Sequence, residues 1–340
     1  MSLARRCFWL PLIVALTLVS VDVSAAAAAS SAETARVHTT GSSSRTTKRF
    51  WTEQRMQEAE DNDLDSEGSP DPDDGGLDPS TDTAPTTTID PEAPTSGTNG
   101  SSPPTLRTQR SDIPFTSEDL GGETDYPYIT HGRVFFRSGG VSYSCSGTVV
   151  TSSNESVVWT AGHCVNHVGQ GGWVNKWVFV PGYDDGEAPY GKWTAETLAA
   201  PRGWIGHGSA AYDMGAAIVG PNSEGETISD VVGSQGIAWN LPRRHEYTAY
   251  GYPAAGSFDG GSLWACHSRY GWSDPIPGPN PMAIGCNLSY GSSGGGWIVD
   301  LADGSYLNSV TSYSHVGERR VTYGPYFGDA AANLYRLVEG

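Results

Sequence analysis

Three short segments carry side chains that could do covalent chemistry together. The first is Thr160-Ala161-Gly162-His163-Cys164. The second is Asp213-Met214-Gly215-Ala216-Ala217-Ile218-Val219, an acid that opens an apolar strand. The third is Gly291-Ser292-Ser293-Gly294-Gly295. Together they offer a hydroxyl, an imidazole and a carboxylate. A serine hydroxyl is a weak nucleophile near neutral pH and needs an imidazole within hydrogen-bond reach to take its proton. The imidazole needs a carboxylate on its other nitrogen, which fixes the tautomer and stabilises the imidazolium. Glycines beside the serine let the backbone turn tightly, so that successive N–H groups can face one point and hold a developing oxyanion. The chemistry these residues suggest is acyl transfer.

Side chains 50 and 80 residues apart need a scaffold. From about Tyr126 the chain reads as short apolar strands between Gly/Pro turns: Arg133–Phe136, Ser146–Thr151, Ser156–Thr160, Lys176–Val180, Met214–Val219, Tyr247–Tyr252, Ser262–Ser268, Trp297–Val299 and Ser305–Ser312. That spacing predicts an all-β sandwich or barrel. So many strands are too much for one small barrel, and two stacked barrels would fit. One helix is predicted, Asp329–Val338, with Leu334, Leu337 and Val338 sharing a face.

Composition narrows the partners. The chain has 340 residues, 20 basic and 38 acidic, for a formal net charge of -18. Neutralising phosphates needs a positive footprint, so nucleic-acid binding through a broad basic surface is excluded. Anionic lipid is disfavoured for the same reason. More than half of the negative charge lies in residues 31–125, which carry a net of -13 against -6 for 126–340. Within that lead-in, Glu58 to Asp82 is almost all Asp, Glu, Gly, Pro and Ser, and Thr81 to Pro104 is a Thr/Pro/Ser/Gly tract. Neither can bury enough apolar surface to offset the entropy of ordering.

The first residues read as a secretory signal, with Arg5 and Arg6, an apolar run from Phe8 to Val21, and small residues Ala25 to Ala29. The run is too short to span a bilayer, and Asp22 ends it. The expected organisation is a signal over 1–29, a disordered acidic propeptide over 30–115 and a catalytic domain over 116–340. The mature protein is expected to be secreted, extracellular, monomeric and free of the membrane. With Cys7 in the signal, Cys145, Cys164, Cys266 and Cys286 remain. An even count in an exported chain favours disulfides, in any of three pairings. Local pairing, Cys145 with Cys164 and Cys266 with Cys286, would give each half its own staple.

The three segments resemble the motifs of the chymotrypsin-fold (trypsin-like) serine peptidases. Thr160–Cys164 looks like that family's histidine motif in full, and Gly291–Gly295 like its serine motif. The chain order His, Asp, Ser is that family's order, and Gly251-Tyr252-Pro253 resembles a strand end of bacterial glutamyl-endopeptidase-like members. The resemblance covers about residues 126–340. It implies two stacked antiparallel β-barrels with a C-terminal helix, and an endopeptidase that acts on polypeptides without cofactor or metal. It also implies Ser293 as nucleophile, His163 as general base and then acid, Asp213 as the group that orients His163, and the N–H groups of Gly291 and Ser293 as the oxyanion hole. Cys145–Cys164 would match the family's disulfide beside the histidine. Ser312-Tyr313-Ser314 would pair with substrate backbone, and His315 behind them could meet an acidic side chain.

The chain also departs from the family pattern. Ser292 stands where an Asp usually pairs with a new N-terminal ammonium, so maturation should follow another route, such as removal of an occluding propeptide. Asn287, six residues before the nucleophile, stands where an Asp marks preference for Arg or Lys. His163 and His167 form an H-x-x-x-H, but the glutamate of the zinc motif is missing. Gly291–Gly295 also matches the nucleophile elbow of α/β-hydrolases, yet only 47 residues follow Ser293 and alternating strands and helices are lacking. The remaining alternative is a catalytically inactive binding or adhesive module on the peptidase fold.

Overall fold

The structure is a computed structural model that describes residues 34–60, 62, 86–92, 113–288, 290–318 and 320–340. The expected signal lies outside the described residues. In chain order the lead-in contributes β1 (Ala35–Thr39), α1 (Ser44–Phe50), α2 (Glu53–Glu60), β2 (Thr87–Ile89) and β3 (Phe115–Gly121). The first half of the body holds β4 (His131–Ser138), β5 (Val141–Val150), β6 (Val157–Thr160), β7 (Asn166–His167), β8 (Gly172–Trp173), β9 (Asn175–Pro181), β10 (Trp193–Pro201), α3 (Arg202–His207) and β11 (Gly215–Val219). The second half holds α4 (Ile228–Val232), β12 (Gly236–Trp239), β13 (Glu246–Gly251), β14 (Leu263–Ser273), β15 (Met282–Gly285), β16 (Gly296–Leu301), β17 (Gly304–Val310), β18 (Val321–Gly324) and α5 (Asp329–Val338).

The first sheet runs β1-β10-β11-β6-β5-β4-β9, and β9 returns to β10, so six strands close into a barrel with β1 added outside the closure. The second sheet runs β18-β15-β14-β13-β16-β17-β12-β2, with β3 joined to β14. The predicted all-β architecture with a C-terminal helix is therefore present. Among the described residues the named strands pair antiparallel except for β12 with β17, where Gly236 aligns with Tyr306 and Ile237 with Leu307 in parallel. All nine predicted strand segments fall within observed strands or at their ends. The sequence reading missed β10, whose burial is nearly continuous rather than alternating, and β12, β15 and β18, which are four residues each.

The strands hold because their faces are covered. β6 reads Val-Val-Trp-Thr with every residue buried. Trp159 of β6 packs against Phe327, 5.6 Å between ring centroids, which ties the first barrel to the C-terminal segment. In α5, Leu334 and Val338 are buried one turn apart, with Ala331 and Tyr335 beside them. Leu337 is 43% exposed, so it does not share their face as predicted. A 3.6-residue period carries position 337 to the edge of a stripe centred on 331, 334, 335 and 338.

Parts of the lead-in pack on the body. β1 pairs with β10 in a five-residue register, from Ala35 against Pro201 to Thr39 against Thr197. Trp51, Met56 and Ala59 are fully buried against Phe135, Val178, Val180 and Tyr183. β2 pairs with β12 on the second sheet.

His131 opens β4 fully enclosed, with Nδ1 against Thr148 Oγ1 at 2.9 Å and its ring stacked on Tyr250 at 4.2 Å. Burial pushes its pKa down to about 3. Between there and about 6.5 the unfolded chain binds a proton that the folded chain does not, so stability falls as pH falls through that window. One such group contributes at most about 1.4 kcal/mol per pH unit. His131→Gln should flatten the pH dependence of urea unfolding between pH 6 and 4 by up to that slope. Parallel curves for variant and parent would show that His131 does not stay neutral in the fold.

Candidate active site

His163 sits in a single helical turn where β6 ends. Cys164 N–H donates to Ala161 O at 3.2 Å, and Asn166 N–H to Gly162 O at 2.8 Å. Asp213 follows a 3-10 turn over Ala210–Tyr212, and its backbone N–H closes on Ala210 O. The antiparallel pairing of Gly215 with Thr160 brings the two turns together. Gly162 lets them touch, because a Cβ there would lie 2.9 Å from Asp213 Oδ1 and 2.7 Å from the Trp204 ring.

The contact is two-pronged. Asp213 Oδ1 accepts from the backbone N–H of His163 at 2.8 Å, and Oδ2 accepts from His163 Nδ1 at 2.8 Å. Ser312 Oγ donates to the same Oδ2 at 2.6 Å. Asp213 and His163 are 1% and 4% exposed, so the pair is shielded from water. An ionised carboxylate can only accept. Nδ1 must therefore carry the proton, and in neutral His163 the lone pair lies on Nε2. Asp184 and Asp185 belong to a separate turn in which Asp184 and Glu187 bond each other's backbones.

The serine segment packs against the same turn. Ser146 of β5 holds it at two points and is itself tied to the histidine motif. Its N–H donates to Ser293 O at 2.7 Å, its Oγ donates to Gly291 O at 2.8 Å, and its carbonyl accepts from Thr160 Oγ1 at 2.8 Å. Cys164 Sγ lies 3.7 Å from Ser293 O, directly behind the histidine. Gly294 has φ +80°, and a Cβ there would collide with Thr160 Oγ1 and Ser146 O. Nothing in the sequence marks Ser146, which lies 147 residues from Ser293 and is one of many strand serines. The Cys145–Cys164 disulfide, Cα atoms 6.2 Å apart, joins β5 to the histidine turn. Cys266 is bonded to Cys286, Cα atoms 5.8 Å apart, just before Asn287. His163, Cys145 and Cys164 bring three potential metal-ligand atoms within 4.8 Å of one another, but both sulfurs are spent in the disulfide.

The other predicted residues lie just after β15 and between β17 and β18. Ser312 N–H donates to Tyr323 O, and Tyr313 and Tyr323 exchange backbone bonds and stack at 5.0 Å. Ser314 Oγ donates to Val321 O at 2.8 Å. His315 Nε2 lies 3.0 Å from Asp274 Oδ2, which also accepts from Tyr313 Oη. That imidazole is thus already engaged by a buried carboxylate. Asn287 Oδ1 is buried and finds no donor among the described residues.

No protein-family model matches the chain, and no curated protein matches it. Solved structures do. The protease Anisep from Arthrobacter nicotinovorans is 39% identical, with a TM-score of 0.60, and the match covers 66% of this chain and 99% of that one. A thermostable serine protease, AL20, from an extremophilic microorganism is 37% identical, with a TM-score of 0.58, over 62% and 97% of the two chains. A Glu endopeptidase shares the fold at 20% identity and a TM-score of 0.52, over 67% and 97%. About a third of this chain has no counterpart in either of the first two.

Proposed function

The chain belongs to the chymotrypsin-fold serine peptidases and hydrolyses peptide bonds, and on that premise we propose that it is a secreted endopeptidase working through Ser293, His163 and Asp213. The observation that carries this reading is the shielded Asp213–His163 pair beside the clamped Ser293 turn. Ser293 Oγ attacks the scissile carbonyl carbon while its proton passes to His163 Nε2. The carbonyl oxygen becomes an oxyanion held by the N–H groups of Gly291 and Ser293. Collapse expels the amine, which takes the proton from His163, and leaves an acyl ester on Ser293. Water then attacks the ester, again giving its proton to His163, and the acid product leaves with Ser293 restored. Asp213 stays ionised throughout and offsets the imidazolium.

Substrate backbone would lie along Ser312-Tyr313-Ser314, adding a strand beside them. Asn287 in place of an acid argues against a preference for Arg or Lys. His315 would meet an acidic side chain only by sharing its bond to Asp274. After export, maturation proceeds by cutting the lead-in, since Ser292 cannot form the usual ammonium pair. Among the described residues no helix is long and apolar enough to cross a membrane.

The test is pre-steady-state hydrolysis of an activated ester by the mature-length protein. An acyl-enzyme mechanism gives a burst of about one equivalent of leaving group per enzyme. A mature-length protein with neither burst nor peptide cleavage would be a binding module instead. Ser312→Ala probes the Asp213 end of the site. A hydrogen bond to a charged group is worth about 1.5–3 kcal/mol. Losing it should lower kcat/KM by roughly tenfold. It should also raise the acid limb of the pH profile, because a less satisfied carboxylate holds the imidazolium more tightly. A rate within twofold of the parent and an unmoved limb would remove Ser312 from the mechanism.

A further inference from the structure

Residues 34–60 and 62 are docked closely on the first barrel. The β1 ladder on β10 is extended at both ends, by Arg202 N–H to Thr34 O at 2.8 Å and by Thr40 N–H to Glu196 O at 2.9 Å. β1 thus completes an edge of the barrel that β9 covers only at Trp193 and Thr194. Trp51, 0% exposed, donates from Nε1 to Lys176 O at 2.6 Å, and its own carbonyl accepts from Lys192 Nζ at 2.6 Å. Trp51, Met56 and Ala59 make one apolar cluster with Phe135, Val178, Val180, Tyr183, Tyr252 and Leu263, so this core is built partly of lead-in and partly of body.

Beneath that cluster lies a buried charge. Arg133 of β4 is 0% exposed, and its guanidinium donates to Tyr252 O at 3.2 Å, to Ser144 Oγ at 2.8 Å and to Gly260 O. The end of α2 comes to it: Glu60 is 6% exposed, its carbonyl accepts from Arg133 at 3.4 Å, and its carboxylate accepts from Tyr183 Oη. Burial pushes the Glu60 carboxyl above its usual range, and Arg133 pulls it back. Lifting α2 away would take the Glu60 carbonyl from the buried guanidinium and the Glu60 carboxylate from Tyr183 Oη, leaving buried polar groups short of partners. Asn62 O then accepts from Ser144 N–H at 3.0 Å. Ser144 and Ser146 are two residues apart on one strand, so their N–H groups face the same edge, and Ser146 uses that edge to hold Ser293. Arg133 and Ser146 also meet at Tyr252, whose N–H donates to Ser146 Oγ at 3.0 Å.

We propose that residues 34–62 are a retained strap: cutting the lead-in downstream of Asn62 leaves this segment docked on the first barrel, as a second chain of the mature enzyme. The partner of this surface is the protein's own detached peptide, recognised by an added edge strand, a buried indole, and a helix end whose carbonyl meets Arg133 and whose carboxylate meets Tyr183. Retention does not depend on Ser293 reacting, so it stands or falls separately from the proposed activity.

The experiment uses the full chain in the Ser293→Ala form, to suppress self-cutting, with a site for a sequence-specific protease inserted between residues 70 and 80. After cutting, native size exclusion and intact mass should find the peptide carrying residues 34–62 co-eluting with the body, and released only in denaturant. A peptide that elutes alone while the body keeps its native volume would overturn the proposal. Trp51→Ala should speed release at least tenfold, and unchanged release would contradict the docking surface. Should that variant fail to fold, hydrogen exchange before and after the cut decides. The amides of Thr40, Ser144 and Arg202 should stay protected in the cut wild-type strap complex, and their loss of protection would refute retention.

Discussion

Ser293→Ala is expected to lower kcat on the order of 10⁶-fold, to a residue set by binding and oxyanion stabilisation alone. The change removes one oxygen from a turn whose backbone is held by Ser146 and Thr311 rather than by the serine side chain. Fold and substrate affinity should therefore be unchanged, and circular dichroism and the inhibition constant of a product peptide should match the parent. Because triad residues act as a unit, adding His163→Ala to Ser293→Ala should cost almost nothing more. A Ser293→Ala enzyme with activity near the parent's would require a different nucleophile.

Asp213→Asn should cost about 10⁴-fold in kcat, and the geometry says why. Oδ1 accepts from the His163 backbone N–H, and that bond survives only if the amide keeps its oxygen there. The amide nitrogen then faces His163 Nδ1 and donates to it. The imidazole proton is displaced to Nε2, where the base must be. KM should change little, since Asp213 is buried behind His163 and does not reach substrate. A rate within tenfold of the parent would mean that another carboxylate orients the imidazole.

What could be read from the residues was what their chemistry makes local. The Gly-His-Cys turn and the glycine-flanked serines announce tight turns and reactive groups in a few letters. The acid opening an apolar run announces a buried carboxylate at a strand start. What could not be read depends on distant partners. Ser146 is a strand serine until Gly291 and Ser293 are folded onto it. β10 was hidden because both of its faces are covered, so it shows no alternation. The parallel β12–β17 pair joins residues 70 apart without a turn signal.

The docked part of the lead-in was hidden for a different reason. Averaged over 31–125 it is acidic and poor in apolar residues, which describes a chain that cannot bury a core. The average conceals a division at Glu58. Arg36, Arg45, Lys48, Arg49 and Arg55 lie before it, and the acidic run begins there. The short basic part carries Trp51 and Met56, and Ala59 follows just past the division; all three pack into one apolar cluster with barrel residues. A segment can be ordered by a partner surface that its own composition does not reveal.

The central claim is that Ser293 is activated by His163. Its most direct test is a fluorophosphonate probe on the mature-length protein, followed by peptide mapping of the adduct. The account predicts stoichiometric labelling at Ser293, absent from Ser293→Ala and slowed by orders of magnitude in Asp213→Asn. Labelling of the Ser293→Ala protein at the parent's rate, or a mature-length parent that takes up no probe, would contradict it.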